Sequence, residues 1–327
     1  MSTQPSPHDA VFRRVLGDPA NAASQLRAVL PAPLLSRLDL TRLTPVSGSF
    51  VDTTLRWRHS DLLFTAPLED HQAFIYVLVE HQSGGDPLMP FRMLHYVVRI
   101  WDRYLSERPK TTRLPAVIPL VMHHNRAPWA DPTDVIDLID LDRDVLDAVE
   151  SYLPRFRFLL DDLTRLDERA LRTRPLTPPT RMTLLLLKIA AGNPRLADDL
   201  RQWTDELGAV LRQPGGIDHF ITLLTYIGAV GEAPASELHR LFAQLGSDAE
   251  EAYVTTADML RAEGEARGEA RGEARGHARA LLQLLTLKFG PPPAAVHAAV
   301  QSASTDQLET WTARVLTAHT LDDVLRA

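Results

Sequence analysis

Three side chains in one stretch have the types and spacing for metal-assisted chemistry on a phosphodiester. They are Asp61, Glu80 and Gln82, within FVDTTLRWRHSDLLFTAPLEDHQAFIYVLVEHQS at 50–83. Two carboxylates at the rim of a sheet can hold a Mg²⁺ ion (or another divalent cation) with waters completing its shell. Such an ion polarises a phosphate and lowers the pKa of an attacking water. A third polar side chain orients that water or a phosphate oxygen. The run AFIYVLVE is rich in β-branched and aromatic residues, as expected of a strand buried on both faces, and Glu80 ends it. Strand alternation puts Glu80 and Gln82 on one face and His81 on the other. The preceding LRWRHSDLLFT reads as a second strand, with Asp61 at the start of its apolar part. The turn-rich APLEDHQ joins the two as a hairpin, which brings Asp61 beside Glu80.

The elements that must hold these residues read as follows. DAVFRRVLGD is a short helical pattern introduced by His8 and Asp9; Pro19 opens a second helix that ends at Pro31, and PLLSRLDL is a third. After the hairpin, a Gly-Gly-Asp-Pro turn leads into PLMPFRMLHYVVRIWDRYLSE. There Met93, Tyr96, Val97, Ile100 and Tyr104 follow helical spacing, while Arg92, Arg99 and Arg103 cluster on another side. LPAVIPLVMHH reads as a third buried strand, interrupted or edged by Pro119, and RFRFLLDDL holds a further strand. This order predicts an α/β core with a mixed sheet flanked by helices. We place that core at 1–179 and a helical extension at 180–259. A charged segment follows at 260–279 and a small C-terminal helical domain at 280–327.

The charged segment is the one internal repeat, EGEARGEARGEARGHAR, with glycine at 264, 268, 272 and 276 and arginine at 267, 271, 275 and 279. Four residues exceed one helical turn, so each residue type forms a slowly winding stripe, with Glu and Arg on roughly opposite sides. Repeated glycine opposes helix by about 1 kcal/mol per position. The segment is therefore either a flexible linker or a helix supported by a partner, and a homo-oligomer through this repeat and the C-terminal helices is expected.

Composition narrows the classes. No cysteine is present, which excludes disulfides, thiolate metal sites and cysteine nucleophiles; any metal must use oxygen or imidazole ligands. No signal-like N-terminus or bilayer-length apolar run is present, so a cytoplasmic protein without a membrane partner is expected. The formal charge of −7 argues against a generally sticky nucleic-acid binder. It is uneven, however: residues 1–113 carry 13 basic against 11 acidic side chains. A local DNA-facing surface including Arg56, Arg58, Arg92, Arg99 and Arg103 fits this bias, and so does a merely solvated face.

HDAVFRRVL at 8–16, SDLLF around Asp61, YVLVEHQS at 76–83, MPFRMLHYVVRIW and LPAVIPLVMHHNRAPW together resemble the Rpn (YhgA-like) recombination-promoting nucleases. That family is often labelled putative transposase and lies in the PD-(D/E)XK nuclease superfamily. The resemblance covers roughly residues 5–215, and the C-terminal part is similar to a small helical domain often appended to these proteins. It implies a restriction-endonuclease-like fold and metal-dependent DNA cleavage linked to RecA-independent recombination. It makes Asp61 the acid of the PD motif and Glu80 the acid of (D/E)XK. Gln82 stands where the superfamily usually has lysine; glutamine hydrogen-bonds water or phosphate but brings no positive charge. A catalytically weak or inactive DNA-binding module of the same fold is the alternative. Three positions have two readings each. Asp9 is a helix cap or an auxiliary acid, and Arg92 and Tyr96 either contact phosphate or anchor Glu80. His123 and His124 read as strand-end residues rather than ligands.

Overall fold

Capping chemistry starts the first helix. Ser6 and Asp9 form a capping box at the head of α1 (Pro7–Leu16): the Ser6 hydroxyl accepts the Asp9 N–H at 3.2 Å, and the Asp9 carboxylate accepts the Ser6 N–H at 3.3 Å. Asp18 caps α2 (Pro19–Val29) in the same spirit, and the chain leaves it before Pro31. The third helix, α3 (Ala32–Leu35), is shorter than its sequence pattern suggests, and a 3₁₀ turn at Leu40–Arg42 follows it. The computed structural model describes residues 6–46, 61–80, 86–125 and 127–326, with the backbone alone at 77–80.

A five-stranded mixed sheet follows, with strands in chain order: β1 (Thr44–Pro45), β2 (Leu62–Leu68), β3 (His71–Glu80), β4 (Ala116–His123) and β5 (Leu159–Asp162). β1–β2 and β2–β3 pair antiparallel, and β3–β4 and β4–β5 pair parallel. The expected hairpin is tighter than APLEDHQ implied. Strand pairing runs out to Leu68 and His71, leaving Glu69 and Asp70 as the turn, with Glu69 in the left-handed region at φ 53°. Pro119 does not interrupt β4. It pairs with Tyr76 on the β3 side, whereas β5 joins β4 only from Leu120 onward, so the edge lacking an N–H is unpaired at that position. The parallel β3–β4 step requires a crossover, supplied by α4 (Met89–Glu107).

Alternation along the strands splits the core in two. Phe64, Ala66, Ala73, Ile75, Leu120 and Met122 face Phe12 and Val15 of α1 and Leu26 of α2. Leu63, Phe74, Tyr76 and Val121 face Met89, Met93, Tyr96 and Ile100 of α4, with Trp129 and Phe158 beside them. Fully burying a side chain of this size stabilises the fold by about 1.5–3 kcal/mol. After α5 (Arg143–Val149) and α6 (Glu168–Thr173), α7 (Pro178–Ile189) joins the first of these clusters. The same cluster takes in α8 (Leu196–Arg201), α9 (Thr204–Leu211), α10 (Gly216–Val230) and α11 (Ala235–Ala243).

The chain divides into two compact units, Met1–Thr256 and Ala257–Ala327. A long helix, α12 (Ser247–Phe289), runs from the first into the second and contains the whole Gly-Glu-Ala-Arg repeat. The second unit has its own small core, in which Leu281 and Leu285 meet Val300 of α13 (Ala294–Ser302), Leu308 and Val315 of α14 (Thr305–Val315) and Val324 of α15 (Leu321–Leu325). Among the described residues, no helix is long and apolar enough to cross a membrane.

Candidate functional site

The sheet topology collects residues that are distant in sequence along one edge. Asp61 immediately precedes β2; because β2 runs antiparallel to β3, its beginning lies at the same edge as the ends of β3, β4 and β5. Glu80 ends β3 and is in register with His123, the last residue of β4, which is in turn in register with Asp162, the last of β5. The Glu80 side chain and the whole of Gln82 lie outside the described residues, as do Arg56 and Arg58.

Asp61 is almost wholly enclosed, at 1% exposure. Its surroundings include a residue that the sequence reading passed over, Tyr76. The Leu63–Tyr76 register sets this tyrosine next to the strand end that carries Asp61, and its ring centroid is 5.2 Å from that of Tyr96 on α4. Burial pushes the Tyr76 phenol well above the ordinary tyrosine value; the Asp61 carboxylate and Tyr96 push in the same direction, and Arg92 works against them. Asp61, Tyr76, Tyr96 and Arg92 thus form one electrostatic neighbourhood. Arg92 also has a structural task, because its guanidinium is ion-paired with Asp86, whose carboxylate accepts the Leu88 N–H at 3.1 Å at the start of α4. The signal for Tyr76 was in the sequence: strand alternation places 76, 78 and 80 on one face, but an aromatic inside an apolar run reads as core.

Next along the edge, the His123 ring donates from Nε2 to the Ala127 carbonyl at 3.0 Å and meets Trp129 edge-on, with centroids 5.2 Å apart. Asp162 accepts the Trp129 N–H at 3.0 Å, the Thr164 hydroxyl at 2.7 Å and Arg165 Nε at 3.0 Å. Burial raises the Asp162 carboxyl, but the Thr164 and Trp129 hydrogen bonds outweigh it and hold the group below the ordinary aspartate range. Asp162 is therefore fixed as a loop anchor. His124 lies against His8, with ring centroids 5.1 Å apart, and His8 Nδ1 is 2.8 Å from the Tyr226 hydroxyl. Asp9, in the same turn of α1, is buried and closes the capping box. On α4, Arg103 pairs with Glu107 at 2.6 Å, an ordinary solvated helix pair.

The donors near Asp61 are hard oxygens with an imidazole farther along the edge, a set suited to a hard divalent cation and unsuited to a soft one. Among the described residues, no three histidine, aspartate or glutamate side chains are grouped as a metal site.

Comparison with known proteins adds a lineage to this geometry. Residues 6–217 match the family model described as "Putative transposase, YhgA-like". The chain is 37% identical over 142 residues to recombination-promoting nuclease RpnD of Escherichia coli O157:H7, a match covering 40% of this chain and 54% of that protein. It is 32% identical over 263 residues to recombination-promoting nuclease RpnA of E. coli K12, covering 80% and 85% of the two chains. The inactive recombination-promoting nuclease-like protein RpnE of the same strain is 34% identical over 142 residues, 42% of this chain and 46% of RpnE. No solved structure matches the chain. The match across most of the first unit, continued over most of RpnA, shows that the chain belongs to the YhgA-like family.

Proposed function

We infer that this protein is a metal-dependent DNA endonuclease that acts in recombination, with Asp61 and Glu80 as the metal-holding carboxylates and Gln82 as the polar group that orients water or phosphate. The observation that carries this reading is the enclosed Asp61 at the sheet edge where β3 ends in Glu80, in a chain whose relatives RpnA and RpnD are named nucleases. A bound Mg²⁺ would polarise the scissile phosphate and acidify a water. The chain's own residues do the rest. Asp61 presents an oxygen donor from a buried position at the head of β2. Tyr76 interacts with its carboxylate and is backed by Tyr96 in the core beneath. The Asp86–Arg92 pair fixes the start of the helix that covers that face. Gln82 would supply a hydrogen bond to water or a phosphate oxygen without positive charge, so electrostatic stabilisation would have to come from the bound cation.

Plasmid cleavage tests the reading. Purified protein with Mg²⁺ is expected to nick or linearise DNA, and Asp61→Ala and Glu80→Ala each to lower the rate by at least 100-fold, as loss of a metal ligand does. Cleavage that survives both changes would remove this edge as its source. A second reading, a DNA-binding module of the same fold without appreciable catalysis, is favoured by the inactive relative RpnE and by glutamine at 82. It predicts metal-independent DNA binding that weakens with salt and is unaccompanied by cleavage.

A further inference from the structure

The crossover helix α4 has two apolar faces, and the fold uses one of them. Met89, Met93, Tyr96 and Ile100 turn toward the sheet. On the opposite side of the same helix Phe91, Val98 and Leu105 are 57%, 42% and 40% exposed. Single apolar side chains on a surface are ordinary, but these three stand seven positions apart. Seven residues drift by only about 20° around a helix, so the three form one straight stripe along it.

The two flanks of the stripe differ in chemistry. Half-buried Leu94 and Trp101 lie about 40–60° to one side of Val98, and exposed His95 and Asp102 lie about 40–60° to the other. Trp101 is held in place by its indole N–H, which donates to the Pro115 carbonyl at 2.9 Å. His95 and Asp102 are about two turns apart, too far to pair with each other. The ion pairs of α4 join Arg92 to Asp86 and Arg103 to Glu107, and among the described residues none takes in His95 or Asp102.

We propose that this stripe is an interface for a second copy of the chain, with α4 lying antiparallel on α4 of the other copy about a two-fold axis at Val98. The stripe is complementary to itself in that arrangement. Phe91 and Leu105 lie about 10 Å to either side of Val98, so each meets the other across the pair. The axis keeps like flanks together. Leu94 then comes beside Trp101 of the partner subunit and His95 beside Asp102 of the partner subunit, each offset by about 1.5 Å along the helix. Apolar groups meet apolar groups and an imidazole meets a carboxylate. A parallel pair turns one flank over, which sets His95 and Asp102 against Leu94 and Trp101 and leaves both charges unmatched. A 19-residue helix is about 28 Å long, so the pair covers less than the roughly 800 Å² per partner of a standard interface. The dimer is therefore expected to be weak, dissociating at micromolar concentration.

The chain has no native cysteine, so single cysteines in the full chain report this contact directly. Under mild oxidation Val98→Cys is expected to form a disulfide between copies about tenfold faster than Ser236→Cys, an exposed position on α11, because pairing raises its effective concentration. In a mixture, a short bis-maleimide should link Phe91→Cys to Leu105→Cys. It should not link Phe91→Cys to itself, because the two Phe91 positions of a pair are about 21 Å apart. Asp102→Lys should slow the Val98→Cys disulfide with helix content unchanged, and adding His95→Glu should restore the rate. A Val98→Cys rate no greater than that of Ser236→Cys overturns the pairing. Phe91→Cys linking to itself as readily as to Leu105→Cys overturns the antiparallel direction, and a rate that His95→Glu does not restore overturns the match of His95 with Asp102.

Discussion

Arg174→Met should destabilise the first unit by about 3 kcal/mol without touching the candidate site. Asp161 on β5 is 4% exposed and is held from two directions. Arg174 Nη2 and Nη1 donate to its two oxygens at 2.8 and 3.0 Å, and Gln25 Nε2 on α2 donates to Oδ2 at 2.6 Å. Removing the guanidinium deletes two charge-assisted hydrogen bonds, each worth about 1.5–3 kcal/mol, and leaves a buried carboxylate with one amide donor. Breaking a buried pair from one side costs about 3–5 kcal/mol. The Arg174 side chain is 17% exposed, so water reaches the vacated space in part and the lower end applies. Urea unfolding followed by tryptophan fluorescence measures the loss in the transition that reports Trp129 and Trp203. The double variant Asp161→Asn with Arg174→Met should recover much of it, because a neutral amide in the same place requires no cation. A loss below about 1 kcal/mol in the single variant, or a double variant as costly as the summed singles, would refute the account of this clamp.

Two further outcomes follow from buried groups. The Tyr76 and Tyr226 phenols are both raised by burial above their ordinary value, so below about pH 10 both forms of the protein hold these protons and stability is unaffected by them. Above it the unfolded chain loses protons that the folded one keeps, and stability should fall by about 1.4 kcal/mol per pH unit for each tyrosine. Urea titrations between pH 9 and 11 should show that slope reduced by one tyrosine's share in Tyr226→Phe, and an unchanged slope would contradict it. At Gly216, where α10 begins, a Cβ would lie 2.1 Å from the Val210 carbonyl oxygen and 2.7 Å from that of Leu211, both backbone atoms unable to swing aside. Gly216→Ala should therefore cost about 1–3 kcal/mol, read as a lower unfolding midpoint, and a neutral result would mean the α9–α10 turn relaxes freely.

How far the fold was readable depended on where its information is local. β3, β4 and α4 carry apolar patterns of the right period over eight residues or more, so they stand out from the sequence alone. β1 is two residues long and exists because the edge of β2 accepts it, a fact with no periodic trace. Pro119 argued for a break because the sequence does not say that β5 reaches β4 only one residue later. Asp61 and Glu80 stand out in the sequence as candidates because carboxylates at the ends of apolar runs are out of place, and the strand pairing brings their backbone positions to one edge. Tyr76 shares a strand face with Glu80 but reads as core, because its neighbourhood to Asp61 arises from register across two strands. In the Gln25–Asp161–Arg174 clamp, Gln25 bonds a carboxylate 136 positions away, and no local pattern announces it.

The placement of α1 has a consequence for how the chain is made. This helix is synthesised long before α7 and α10, on which it packs, and His8 is bonded to Tyr226, 218 residues later. Its apolar face, with Phe12 and Val15, meets the sheet but is not fully covered until α10 has been synthesised; at 5–20 residues per second that is a wait of roughly 10–40 s. The edge that carries Asp61 cannot close earlier than β5, so a nascent chain cut short before Asp162 lacks the strand that completes it. Assembly of this edge is thus a late event in synthesis, and α1 waits with apolar surface uncovered until the elements that close over it have been made.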